Sequence, residues 1–236
     1  MSDMFFANSA DPRDLLTRAH NRGHRHAFLP FWITLLTQVP SFSTRAPRVF
    51  EYGSVSPMFS CVARDATGTT HCDGVSLDCD APPQPLPPTP NPSHDFTQLS
   101  EEGFRNSHFT YDLGFSYELL SVTEKVRVHA ELMHSKLRTG GAYYTSLCWH
   151  TGNPNADRFV SIRKAKGRPV HLHSIDEIAI AFHAAGFEVG VKRLPIDFFL
   201  IFDPTSGSER YGSVSGMLST WHADSVLFSF RKHTTC

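Results

Sequence analysis

YDLGFSYELLSVTEKVRVHAELMHSKLRTGGAYYTSLCW, residues 111–149, is the stretch whose reading decides the fold. Tyr111 to Ser116 is a short apolar run of strand character. From Thr123 to Leu137 the period changes, with Val126, Ala130, Met133 and Leu137 falling on one helical face and Gly140-Gly141 placed to stop the helix. Ala142 to Trp149 then returns to a strand pattern rich in tyrosine and threonine. Strand, helix, strand in this order predicts parallel strands joined by a crossover helix.

The same alternation extends in both directions. Upstream, Val49-Phe50-Glu51-Tyr52 closed by Gly53 reads as a buried strand ending in a turn, and Thr70 to Leu77 as a second strand. Downstream, Ser174-Ile175-Asp176-Glu177 is a capping box opening a helix that carries Ile178, Ala181, Phe182 and Ala185 and ends at Gly186. Glu188 to Leu194 and Ser225 to Phe230 are the last strands. The fold class expected is α/β, a doubly wound, mostly parallel sheet, in a single domain spanning residues 1–236. Within it, residues 1–45 form a helical N-terminal lid, with Asp11 to His20 and Phe31 to Leu36 as its helical parts, and residues 46–236 form the core. In segment 81–92 proline recurs almost every second residue, which forbids a regular helix and marks an exposed, polyproline-like loop within the domain.

Composition excludes several function classes. Twenty-two basic residues against 23 acidic ones leave a net charge of -1, so no basic footprint argues for a nucleic acid or an anionic membrane. The longest apolar stretch near the start, Phe28 to Leu36, is too short to span a bilayer, and no signal peptide is legible before it. A cytoplasmic protein acting on a small molecule is expected. Cys61, Cys72, Cys79, Cys148 and Cys236 have neither the even number of a disulfide framework nor the paired spacing of a metal knuckle. His20 and His24 share a helical face, but Gly23 interrupts it and no carboxylate or thiol joins them, so no metal site is expected.

Three segments resemble the class I S-adenosylmethionine-dependent methyltransferases. Phe109 to Leu120 is similar to that family's fourth-strand motif, Glu131 to Gly141 to its helix-and-double-glycine signature with Thr139 where proline is usual, and His173 to Val189 to its later helix ending in alanine, glycine, phenylalanine. The resemblance covers roughly residues 48–230, and it rests on order and spacing. It implies a Rossmann-like methyltransferase fold and S-adenosyl-L-methionine as cofactor, bound at the carboxyl ends of the strands where a glycine turn lets the backbone approach the ligand. The resemblance implies Glu51, Gly53 and Ser54 at that turn, Asp78 near the ribose in place of the usual acid at Ser76, and Asp95-Phe96 at the adenine. Glu118 is carried over as a further cofactor contact.

Methyl transfer asks the protein to position an acceptor and, for a protonated one, to supply a base. His150 and Tyr117 are the catalytic candidates at the carboxyl edge, and His24, Phe31, Trp32 and Trp149 the candidates for holding the acceptor. The turn departs from the family pattern: Val55 and Pro57 stand where small residues are expected, and valine resists positive φ while proline lacks an N–H. Two functions therefore stay open. One is an enzyme methylating an O, N or S atom of a small molecule; the other is a catalytically inactive methyltransferase-like binding or regulatory protein.

Overall fold

The computed structural model describes residues 29–39, 47–54, 58–69, 71–77 and 95–233. Helix α1 (Leu29–Thr37) is followed by β1 (Arg48–Tyr52), α2 (Met58–Thr67), β2 (His71–Ser76), β3 (Asp95–Ser100), α3 (Glu101–Asn106) and β4 (Tyr111–Tyr117). After a 3-10 turn, Leu119–Ser121, come α4 (Val126–Lys136), β5 (Leu137–Leu147), α5 (Ala156–Ala165), α6 (Ile175–Ala184), β6 (Phe187–Arg193), α7 (Ser206–Tyr211), α8 (Val214–Leu218) and β7 (Val226–Lys232). The seven strands form one sheet in the order β3-β2-β1-β4-β5-β7-β6. β1 pairs in parallel with β2 and β4, β2 in parallel with β3, and β7 runs antiparallel to both β5 and β6. This is the doubly wound sheet expected, with the order reversing between β1 and β4, where such sheets bind ligands.

Two compact units divide the chain, one of residues 1–116 and 136–141, the other of 117–135 and 142–236. The first has an aromatic core. Phe50 of β1 lies 4.9 Å from Tyr111 and 5.0 Å from Phe104 of α3, ring centre to ring centre. Trp32 of α1 meets Phe59 of α2 edge to face, and Phe59 meets Phe115 of β4. Such rings bury large apolar areas and attract further through edge and offset geometries. β4 can pass close to Phe50 because its residue 114 is glycine: a Cβ there would fall 2.2 Å from the Phe50 ring.

The second unit is built on β5, β7 and α6. Phe182 of α6 stacks on Phe230 of β7 at 3.6 Å, and Tyr143 of β5 lies parallel to both. The capping box at Ser174 and Glu177 is formed in both directions, satisfying two of the N–H groups that a helix start leaves open. Gly186 takes φ +96 after that helix, a conformation that suits glycine.

One boundary differs from expectation. α4 ends at Lys136, one residue short of the expected Leu137, but β5 begins at once at Leu137 rather than after Gly140-Gly141 at Ala142. The Lys136 ammonium donates to the backbone carbonyls of Arg105 and Ser107, which holds the chain at that point. Gly141 serves a different purpose from a helix stop, since a Cβ there would lie 3.1 Å from the carbonyl oxygens of both Tyr111 and Asp112. The helix expected over Asp11 to His20 and the proline segment 81–92 lie outside the described residues. No helix among the described residues is long and apolar enough to cross a membrane.

Candidate functional site

In the first unit, β1 delivers Glu51 and Tyr52 to the sheet's carboxyl edge and Gly53 turns the chain there with φ +85. The N–H groups of Gly53 and Ser54 both donate to the Val75 carbonyl near the end of β2, at 2.9 and 2.8 Å. The turn is thus folded onto its neighbouring strand. Glu51 and Ser54 are buried. Burial lifts the Glu51 carboxyl from its ordinary range to about 8, only partly offset by a hydrogen bond from the Ser54 side chain. Glu51 is level with Gly74 of β2, and Gly74 with Gln98 of β3. A Cβ on Gly74 would sit about 3 Å from Ser54 Oγ, Gln98 Oε1 and the Phe96 ring, so glycine lets these three groups converge.

The remaining cofactor candidates divide. Ser76 closes β2 at the same edge as the turn; Asp78 lies outside the described residues. Asp95 pairs with His71 at the start of both strands, which places its backbone at the amino edge, away from Gly53. The expectation of an adenine contact from Asp95 is therefore not met by its position. Its neighbour Phe96 leans toward the Ser54 turn across Gly74. The fourth-strand end supplies Tyr117 and Glu118 to the second unit.

In that unit Glu118 sits at φ +54, the only non-glycine residue with positive φ among those described. Its Oε2 accepts the Cys148 N–H at 2.8 Å, and its Oε1 is enclosed. Burial raises this carboxyl to about 7, against the opposing pull of the Cys148 N–H, the Ser146 hydroxyl and the Arg210 charge. Burial also pushes the Tyr117 phenol and the Cys148 thiol well above their usual ranges, so both stay protonated near neutrality. Neither offers an anionic nucleophile or base.

Three candidates for acceptor chemistry have structural duties instead. His150 is buried, its Nε2 bonded to the Asp224 carbonyl at 2.9 Å and its Nδ1 accepting the Gly152 N–H at 3.1 Å. Both ring nitrogens are occupied by backbone, which removes it as a base. Trp149 is buried between Phe159, stacked at 4.4 Å, and Tyr211 at 5.9 Å. Trp32 is buried against Phe59 in the core of its unit rather than in a lid. Phe31 on the same helix keeps part of its surface, and His24 lies outside the described residues. The strain at Glu118 was not legible in sequence, since nothing in Tyr117-Glu118-Leu119 marks a left-handed residue.

No protein-family model matches the chain, and no curated protein matches it. Solved structures do. A chain from the complex between the Haloferax volcanii Trm112 methyltransferase activator and a methyltransferase is 15% identical, with 96% of each chain covered and a TM-score of 0.66. An S-adenosylmethionine-dependent methyltransferase from Mesorhizobium loti is 17% identical over 88% of this chain and 98% of its own, at 0.58. Geranyl diphosphate methyltransferase in complex with SAM is 14% identical over 94% and 90%, also at 0.58. The fold of this protein is that of the class I S-adenosylmethionine-dependent methyltransferases.

Proposed function

We propose that the protein transfers the methyl group of S-adenosylmethionine to an O, N or S atom of a small molecule. The observation that carries this reading is the sheet order β3-β2-β1-β4-β5-β7-β6 with a glycine turn and a buried Glu51 at the end of β1. The cofactor carries an ammonium and a sulfonium, so a buried carboxylate that makes no ion pair among the described residues is chemically suited to it. Glu51, Gly53 and Ser54 would hold the methionine end, and Ser76 with Asp78 the ribose. When bound, the cofactor would supply an electrophilic methyl group; the chain's part is to orient the acceptor and receive its proton.

A second reading, a methyltransferase-like protein that regulates a partner without catalysis, is favoured by one observation. The two N–H groups of the turn are already spent on Val75, and Val55 and Pro57 follow it. The complex between an activator and a methyltransferase among the similar structures is consistent with a protein partner.

Calorimetric titration with S-adenosylmethionine and S-adenosylhomocysteine separates the two. Saturable binding with a dissociation constant of about 1 mM or tighter supports the enzyme, and its absence supports the regulator. Val55→Gly combined with Pro57→Gly should tighten binding if the turn is the binding site.

A further inference from the structure

β6 closes one end of the sheet, and its outer edge carries no further strand among the described residues. Its pairing with β7 fixes which backbone groups that edge presents. The register runs without a bulge from Phe187 opposite Lys232 to Arg193 opposite Val226, and the Leu194 N–H then donates to the Ser225 carbonyl at 3.0 Å. In an antiparallel ladder, residues bonded to the neighbouring strand alternate with residues whose groups face away. Glu188, Gly190 and Lys192 therefore bond inward to β7, while Phe187, Val189, Val191 and Arg193 turn their N–H and C=O groups to the open edge. Such a row is a template for another strand. Glu188, Gly190, Val191, Lys192 and Arg193 are all exposed, Val191 by 52%.

The order of side chains along β6 selects the strand that fits, its own copy run antiparallel about a two-fold axis at Gly190. In that register Glu188 stands opposite the second copy's Lys192, and symmetry repeats the pair on the other side of the axis. Side chains alternate between faces, so Phe187, Val189 and Val191 share the face on which Phe187 packs against Phe182 of α6. On it Val189 stands beside Val191 of the second copy. Gly190 meets itself and brings no side chain to the axis. A Cβ there would make only ordinary contact, 3.6 Å from Ser229, so the single chain does not need glycine at this place. Other registers match poorly. An axis at Glu188 sets glutamate on glutamate, one at Lys192 sets lysine on lysine, and one at Val189 or Val191 leaves neither charge opposite its complement.

We propose that β6 is a self-association edge, at which a second copy of the chain pairs β6 with β6, antiparallel, about Gly190. The outward N–H and C=O groups of Phe187, Val189, Val191 and Arg193 bond across the axis, valines meet on one face, and Glu188 meets Lys192 on the other. A lysine on a strand edge ordinarily keeps other strands away. Here the register that pairs the backbone also gives each lysine a carboxylate, so the same residue that repels a wrong strand accepts this one. One strand against one strand buries little area, which places the association in the weak, concentration-dependent class. The proposal does not depend on the methyltransferase reading.

The test is sedimentation equilibrium of the full chain at protein concentrations up to about 0.1 mM, at low ionic strength where exposed pairs are least screened. The parent should move from the chain mass of 26.4 kDa toward twice that value. Lys192→Glu and Glu188→Lys should each weaken association roughly tenfold or more, because both pairs across the axis become pairs of like charge. Mixed in equal amounts, the two variants should associate again, since each edge of one then faces opposite charges on the other. Glu188 is also level with Arg231 of β7, so melting temperatures control for a loss inside the chain; Lys192, level with Leu227, gives the variant that leaves that neighbour alone. A parent that stays monomeric throughout overturns the proposal and leaves the edge to a strand from another protein. A dimer unmoved by either reversal, or two folded variants that do not associate when mixed, overturns it as well.

Discussion

Glu118 ties the end of β4 to the end of β5: its Oε2 accepts the backbone N–H of Cys148 at 2.8 Å. The N–H it serves lies just past the last residue of β5, in buried surroundings where few alternative acceptors exist. Removing the acceptor strands a buried donor, which costs about 1–3 kcal/mol. Glu118→Ala should lose stability in that range by denaturant unfolding. Glu118→Gln, which keeps a carbonyl oxygen, should lose less than half as much; equal losses would show that the bond to Cys148 contributes nothing.

Acid should favour the folded chain at two positions. Glu51 and Glu118 have folded-state pKa values of about 8 and about 7, above the ordinary 4.5, because burial disfavours their charged forms. A group whose pKa rises on folding contributes stability that is fully present below pH 4.5 and is lost as pH climbs through its folded value. Between pH 5 and pH 8.5, the melting temperature of Glu51→Gln should therefore change less than that of the parent. The difference corresponds to a few kcal/mol, on the order of 1.4 kcal/mol for each tenfold change in proton affinity between the unfolded and folded chain. Parallel curves would mean that Glu51 is solvated or paired.

Gly114→Ala should destabilise the first unit by about 1–3 kcal/mol, because the added methyl would fall inside the Phe50 ring and rearrange a packed core. Pairing it with Phe50→Leu should recover part of the loss, a coupling that a double-mutant cycle reads directly. Additive losses would place the strain elsewhere.

His150→Phe should lower stability by about 1–3 kcal/mol, since the Asp224 carbonyl and the Gly152 N–H both lose a partner. Its affinity for S-adenosylhomocysteine should equal the parent's. A selective loss of affinity without loss of stability would return His150 to the binding site.

The elements were legible where local chemistry alone determined them. Ser174 and Glu177 declare a helix start three residues apart, and alternating apolar runs at 49–52 and 226–230 declare buried strands. β3 escaped reading because Asp95-Phe96-Thr97-Gln98-Leu99-Ser100 carries polar residues on both faces of an edge strand. Site residues were harder because their roles depend on partners far along the chain. His150 is a base or a brace according to Asp224, 74 residues away, and Trp149 is exposed or packed according to Phe159 and Tyr211. Glu118 owes its raised pKa to enclosure and sits at a left-handed turn, neither of which leaves a mark in composition or periodicity.

The interleaving of the two units has a consequence for how the protein is made. The first unit draws on residues 1–116 and then on 136–141, and the chain between them belongs to the second. No single cut separates the units into intact halves, so a fragment ending at residue 116 lacks part of its own first unit. On a ribosome, likewise, the first unit stays incomplete until residue 141 has left the exit tunnel, although strands β1 to β4 emerged earlier. Nascent chains stalled before that point should bind chaperones and yield to protease, and chains released beyond it should resist.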